Sequence, residues 1–333
     1  MLARLKIVTI FLIVHLFNGI SGQINVTLAV FSGRRDPQWF LLPSNSKFVQ
    51  IKKLLEEARK SYLTYSPNMM PARLGFKGFL VQELTQKEPE LIIGKSTLAL
   101  QQHLFWTLPA DWLKEKMLQA YFNKVLKEEI SPGVISAVTP AKQPQQQLQQ
   151  NLPEPLKLLG QKAIQNLPPK KPISVSGRRK RYAYESKSYP WNDILAAQLN
   201  NNCYNYANNK ATYTFAQPGR GSGARCQYQF PDCMRNAAIN DHLETLDLPP
   251  AAPLPPVPSG KKHLVALVIN PGVDFHWYRL DQLGIWSHKP GTTQATIFDN
   301  GGAIIFDPRV ANRGGYTTFA CFMHSDRDEV TIA

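Results

Sequence analysis

The sequence predicts an α+β protein made of two folded halves. Three patterns carry that expectation. Residues 24–31, Ile-Asn-Val-Thr-Leu-Ala-Val-Phe, alternate and are rich in β-branched side chains, as a strand requires. Phe48, Ile51, Leu54, Leu55 and Ala58 recur at helical spacing. Residues 264–270, Leu-Val-Ala-Leu-Val-Ile-Asn, form the continuous apolar run of a buried strand. The length of 333 residues suits two domains at roughly 150 residues each. Charged residues at 19% and hydrophobic residues at 43% argue against a wholly disordered chain or a coiled coil.

Residues 1–22 place Arg4 and Lys6 before an apolar run from Ile7 to Phe17, then end on Asn18-Gly19-Ile20-Ser21-Gly22. That order is a secretory signal peptide, and the run is too short for a membrane span. Secretion makes Asn25-Val26-Thr27 a glycosylation acceptor at Asn25. Residues 23–138 read as a small α/β domain. After the first strand, Ser-Gly-Arg-Arg-Asp-Pro breaks the chain. A helix follows from Ser46 to Tyr62, then strands over 75–82 and 91–93, then helices over 98–104 and 112–126. No catalytic constellation stands out in this half, and His103, its single histidine, reads as packing. A propeptide, an inhibitory module and an adhesion domain all fit it.

Residues 139–181 read as a linker. They are rich in Gln, Pro and Lys and poor in aromatics, so they cannot bury enough apolar area to offset the entropy of ordering. They hold nine Lys or Arg and one Asp or Glu, whereas residues 182–333 hold twelve and thirteen. The net charge of +14 therefore sits largely in the linker. A nucleic-acid partner is not expected, although polyanion binding through the linker needs only this charge. The linker ends in Arg178-Arg179-Lys180-Arg181, which resembles the recognition sequence of furin-like proprotein convertases. Cleavage after Arg181 would release residues 182–333.

All four cysteines lie in that second half: Cys203, Cys226, Cys233 and Cys321. Cys226 and Cys233 are spaced to close a local disulfide loop. Cys203 and Cys321 either pair with each other or leave a reactive thiol. Three asparagines, Asn200, Asn201 and Asn202, break a helix over 192–199, so Cys203 falls at the start of a second short helix. A thiol there is expected to have a lowered pKa. Farther on, residues 275–279 and 285–288 read as two strands around Asp281-Gln282-Leu283-Gly284. His276 and His288 are nearly equidistant from the turn centre and are expected opposite each other, close enough for one imidazole to orient the other. A last strand follows around 317–323, after a hairpin signal at 299–302.

A cysteine at a helix start, followed by sheet-borne histidines, resembles the papain-like fold. The order Asn202-Cys203-Tyr204, then His276, then His288 is most similar to the NlpC/P60 and CHAP amidase–peptidases, over roughly residues 186–323. The sequence lacks their usual Asp-Cys-Ser-Gly motif and inserts a proline-rich stretch, 248–258, between Cys and His. The resemblance implies a helix packed on an antiparallel sheet, and a cysteine hydrolase acting on peptide or cell-wall amides through a thioester. Cys203 would attack, His276 would act as base and His288 would hold its tautomer. The Cys203 amide with Asn201 or Asn202 would form the oxyanion hole. No cofactor is called for. A metal site would need His276 and His288 to be joined by Asp274, Asp281 or Asp299, in no recognised zinc spacing. The chain also resembles secreted invertebrate matrix proteins, shell components among them. That alternative implies a non-catalytic domain, with Cys203 paired to Cys321 and Cys226 to Cys233, whereas an enzyme needs Cys203 free.

Overall fold

The computed structural model describes residues 22–138 and 191–333, apart from 228, 247, 250, 257, 259–261 and 282–283. The signal sequence up to residue 21, the linker 139–181 and its basic run 178–181 lie outside the described residues. In the first half, strands β1 (Ile24–Ala29), β2 (Gln38–Leu41), β3 (Gly78–Glu83) and β4 (Glu90–Ile92) form an antiparallel sheet in the order β2-β1-β3-β4. Helices α1 (Phe48–Lys60), α2 (Leu98–Phe105) and α3 (Lys116–Lys124) share its core. Ile51 and Leu55 of α1 pack with Val26 and Leu28 of β1 in that core, which is why α1 repeats its apolar residues at helical spacing. Asn25, the glycosylation candidate, lies on β1 between β2 and β3.

Two departures from expectation have local causes. β1 stops at Ala29 rather than Phe31 because the amides of Val30 and Phe31 turn to the Asp36 carboxylate, at 2.8 and 2.7 Å. The breaker is thus a tight link into β2, a strand the sequence does not announce. The helix expected over 112–126 is a 3-10 turn (Ala110–Leu113), then α3, then a π-helical turn (Val125–Ile130). Glu129 of that π turn bonds Arg73 at 2.7 Å and the Phe76 amide at 3.2 Å, a long-range tie no local pattern reveals.

The second half is built on a five-stranded antiparallel sheet, ordered β5-β9-β6-β7-β8. The strands are β5 (Glu244–Leu246), β6 (Lys262–Asn270), β7 (Asp274–Leu280), β8 (Trp286–His288) and β9 (Thr318–Asp326). Short helices α4 (Leu195–Asn200) and α5 (Cys203–Ala207) precede it, and α6 (Pro231–Asn240) lies before β5. Both faces of the sheet are covered. Leu267, Phe275 and Trp277 pack with Cys203 and Tyr204 of α5, while Ala266, Val268 and Tyr278 pack with Ile305, Tyr316 and Leu74. Burial on both faces explains the unbroken apolar run of β6 and the complete burial of β7. Helix α6 went unannounced. Its start is marked by Pro231 in the first turn, and the Cys226–Cys233 disulfide ties it back to the preceding loop.

The two halves meet directly. Leu74 of the first belongs to a core of the second, and Val273 of the second belongs to the core of the first.

Candidate functional site

Among the described residues β8 pairs with β7 only at Tyr278, Arg279 and Leu280, so the first part of β7 has no strand on its outer side. α5 fills that edge. Its entry is fixed by a reciprocal cap. The Asn202 side chain accepts from the amides of Tyr204 and Asn205, and the Asn205 side chain accepts from the Asn202 amide. The three asparagines therefore do end one helix and start the next, with Cys203 as the first residue of α5.

Cys203 sits against the open edge. Its Sγ lies 4.0 Å from the Phe275 carbonyl and takes a hydrogen bond from the Trp277 amide. Its thiol is not lowered as the helix-start argument expects. Burial pushes it up to about 12, the nearby Asp274 adds to this, and Ser32, the Trp277 amide and Lys289 offset only part. One short turn of helix does not outweigh complete desolvation. Cys203 and Cys321 are both free, so that pairing is not formed, while Cys226–Cys233 is.

His276 and His288 are brought together, but by a different register. Tyr278, not His276, lies opposite His288. The Asp281 amide bonds the Ile285 carbonyl and closes the connection one step later than the sequence implies. The two imidazoles are diagonal neighbours on one face. His276 Nε2 still lies 2.8 Å from His288 Nδ1, and His288 Nε2 lies 2.9 Å from the Phe298 carbonyl. That carbonyl fixes every proton in the chain. A carbonyl only accepts, so His288 Nε2 carries hydrogen and Nδ1 accepts. His276 Nε2 then donates and its Nδ1 accepts.

The donor to His276 Nδ1 is not Cys203. It is the hydroxyl of Ser32, at 2.5 Å. Ser32 also lies near enough to the Cys203 thiol to offset part of its upward shift. The hydrogen-bonded order is therefore serine hydroxyl, imidazole, imidazole, carbonyl, with the thiol beside the serine. Burial holds His276 well below its usual value and His288 at about 4, so both are neutral near pH 7. The nucleophile–base contact expected from the sequence is replaced by an inserted serine from the first half, in which no constellation was expected.

A second ring of groups holds that serine in place. The Asp274 carboxylate accepts from the amides of Ser32 at 2.6 Å and Arg34 at 2.9 Å, and from the Tyr316 hydroxyl at 2.5 Å. Lys77, fully buried, bonds the Phe31 carbonyl at 2.9 Å. Asn202 Nδ2 bonds the Gly33 carbonyl at 2.7 Å and the Ala216 carbonyl at 2.7 Å. Asn201 turns away into α4, with Nδ2 on the Ala197 carbonyl. Lys289 is buried and bonds the carbonyls of Gln198, Asn201 and Gly291. Its ammonium is lowered to about 7 by burial. Ser32, Lys77, Gln217, Lys289 and Tyr316 carried no local signal. The sequence offers Asp274 only as a possible metal ligand. Among the described residues no three His, Cys, Asp or Glu side chains are grouped to hold a metal, and no helix is long and apolar enough to cross a membrane.

No protein-family model matches the chain, and no solved structure matches it. A curated protein does. Over 129 residues the chain is 47% identical to insoluble matrix shell protein 1 of Ruditapes philippinarum, which covers 39% of this chain and 81% of that protein. The chain belongs to the family of that shell matrix protein. This similarity gives no support to the amidase–peptidase resemblance.

Proposed function

We propose that this chain is a non-catalytic component of an extracellular matrix, built on a papain-like arrangement whose thiol centre is closed. The observation that carries the reading is the Ser32 hydroxyl on His276 Nδ1, the ring nitrogen a thiol would have to meet, with Cys203 fully buried beside it. A cysteine hydrolase needs a thiolate, a base in contact with it and room for a carbonyl. Here the thiol is protonated and fully buried, and a side chain fills the contact. The relative's description as an insoluble shell matrix protein supports the same reading, and with the signal-like residues 1–22 it supports secretion. Conversion at Arg178–Arg181 belongs to this proposal as a maturation step that cuts the covalent link between the halves.

The test uses the secreted full-length chain. Native thiol labelling with mass spectrometry is expected to leave Cys203 unmodified. Assays on peptide and peptidoglycan amides are expected to show no turnover above a Cys203→Ala control. Antibodies are expected to find the protein in the detergent-insoluble fraction of the deposited matrix. Cys203-dependent turnover by the wild-type chain would overturn the reading in favour of a peptide- or cell-wall-cleaving enzyme.

A further inference from the structure

The contacts between the halves are unusually directed at three residues. Ser32, Gly33 and Arg34 each donate a backbone N–H to the single carboxylate of Asp274, at 2.6, 3.2 and 2.9 Å. The Gly33 carbonyl accepts from two side-chain amides, Asn202 Nδ2 and Gln217 Nε2, each at 2.7 Å. The Ser32 hydroxyl is read by His276, and the Arg34 guanidinium donates to the Val273 carbonyl at 2.9 Å. A Cβ on residue 33 would fall 2.4 Å from the Phe275 ring, so glycine alone fits there. Three successive amides, one carbonyl and the side chains at all three positions are thus recognised by the second half.

This is how a receptor reads an extended peptide: backbone groups give hold, and the shape at each side chain gives selectivity. The receptor groups are also supported without the loop. Asp274 keeps Tyr316 and the Phe275 amide, and Asn202 keeps its α5 cap and the Ala216 carbonyl.

We infer that the second half carries a peptide-binding cleft selective for a Ser-Gly-Arg segment. Residues 32–34 are its resident ligand, so the halves stay bound whether or not the linker is intact. The inference concerns association and does not depend on whether the thiol centre is catalytic.

The full chain is made with residues 178–181 replaced by the site of a sequence-specific protease, cut after folding, and passed over a sizing column. Affinity is then measured by dilution. The cut wild-type halves are expected to co-elute at micromolar concentration. Gly33→Ala is expected to weaken them at least tenfold, and Gln217→Ala by roughly two- to tenfold, the value of one hydrogen bond. Ser46→Ala, on an exposed loop, should match wild type. If Gly33→Ala does not fold, Gln217→Ala decides. Separation of the wild-type halves would overturn the inference, as would wild-type affinity in Gln217→Ala.

Discussion

The Ser32 hydroxyl and Nδ1 of His276 lie 2.5 Å apart across 244 residues of sequence. The serine comes from the link between β1 and β2 in the first half, and the histidine from the middle of β7 in the second. Their contact joins the halves at the position where the cysteine was expected to meet its base.

Removing that hydroxyl tests its weight. Ser32→Ala leaves the buried His276 Nδ1 without a donor and should cost about 1–3 kcal/mol. Urea denaturation of the full chain should show the loss as a lower midpoint at unchanged slope. An unchanged midpoint would mean the contact adds nothing to stability.

Acid should act through the histidine pair. Both have folded pKa values below the unfolded value of 6.5, His288 at about 4. The unfolded chain therefore binds more protons, and stability falls with falling pH. The His288 contribution is full above about 6.5, is lost progressively down to about 4, and is on the order of 3 kcal/mol. Melting temperatures between pH 7 and 4 measure it. His288→Gln should flatten the slope in that window.

Asp274→Asn should be among the most damaging single changes. The side chain would present an N–H₂ to a site lined by three amides and a phenol, all of them donors. A loss of about 3 kcal/mol is expected. Asp232→Asn, on an exposed side chain, should change stability by less than about 0.5 kcal/mol. Equal midpoints for the two variants would contradict the assigned role of Asp274.

The Cys226–Cys233 bridge closes a short loop, with a sequence separation of 7. Chain-entropy arguments give such a loop about 2.5 kcal/mol. Cys226→Ser with Cys233→Ser should lower the melting temperature, and the double variant should no longer respond to reductant. The Ser32–His276 contact lies elsewhere and should persist, visible as continued protection of Cys203 from labelling.

What was legible in the sequence follows the range of the interactions. The strand of 262–270, helix α1, the asparagine-capped start of α5 and the Cys226–Cys233 loop were readable because each is set by residues within a few positions. The order Cys203, His276, His288 was readable too, though its register was off by two residues. The π turn, β2 and the serine insertion were not. Glu129 answers Arg73, and Asp274 answers Ser32 across the halves; the Asp36 link to Val30 and Phe31 is local, but its residues show only a breaker and not the strand beyond it. Ser-Gly-Arg-Arg-Asp-Pro looks like any breaker until the surface it meets is known.

The hydrogen-bonded row ends on the Phe298 carbonyl, and that terminus decides what the row can conduct. A peptide oxygen is far too weak a base to hold a proton passed down from the thiol. A charge sent along Ser32, His276 and His288 would stop at His288, where burial outweighs the pull of the nearby Asp299 carboxylate. The row is a fastener that happens to be made of catalytic side chains: each member is locked by the next, and the lock opens only when the whole assembly comes apart.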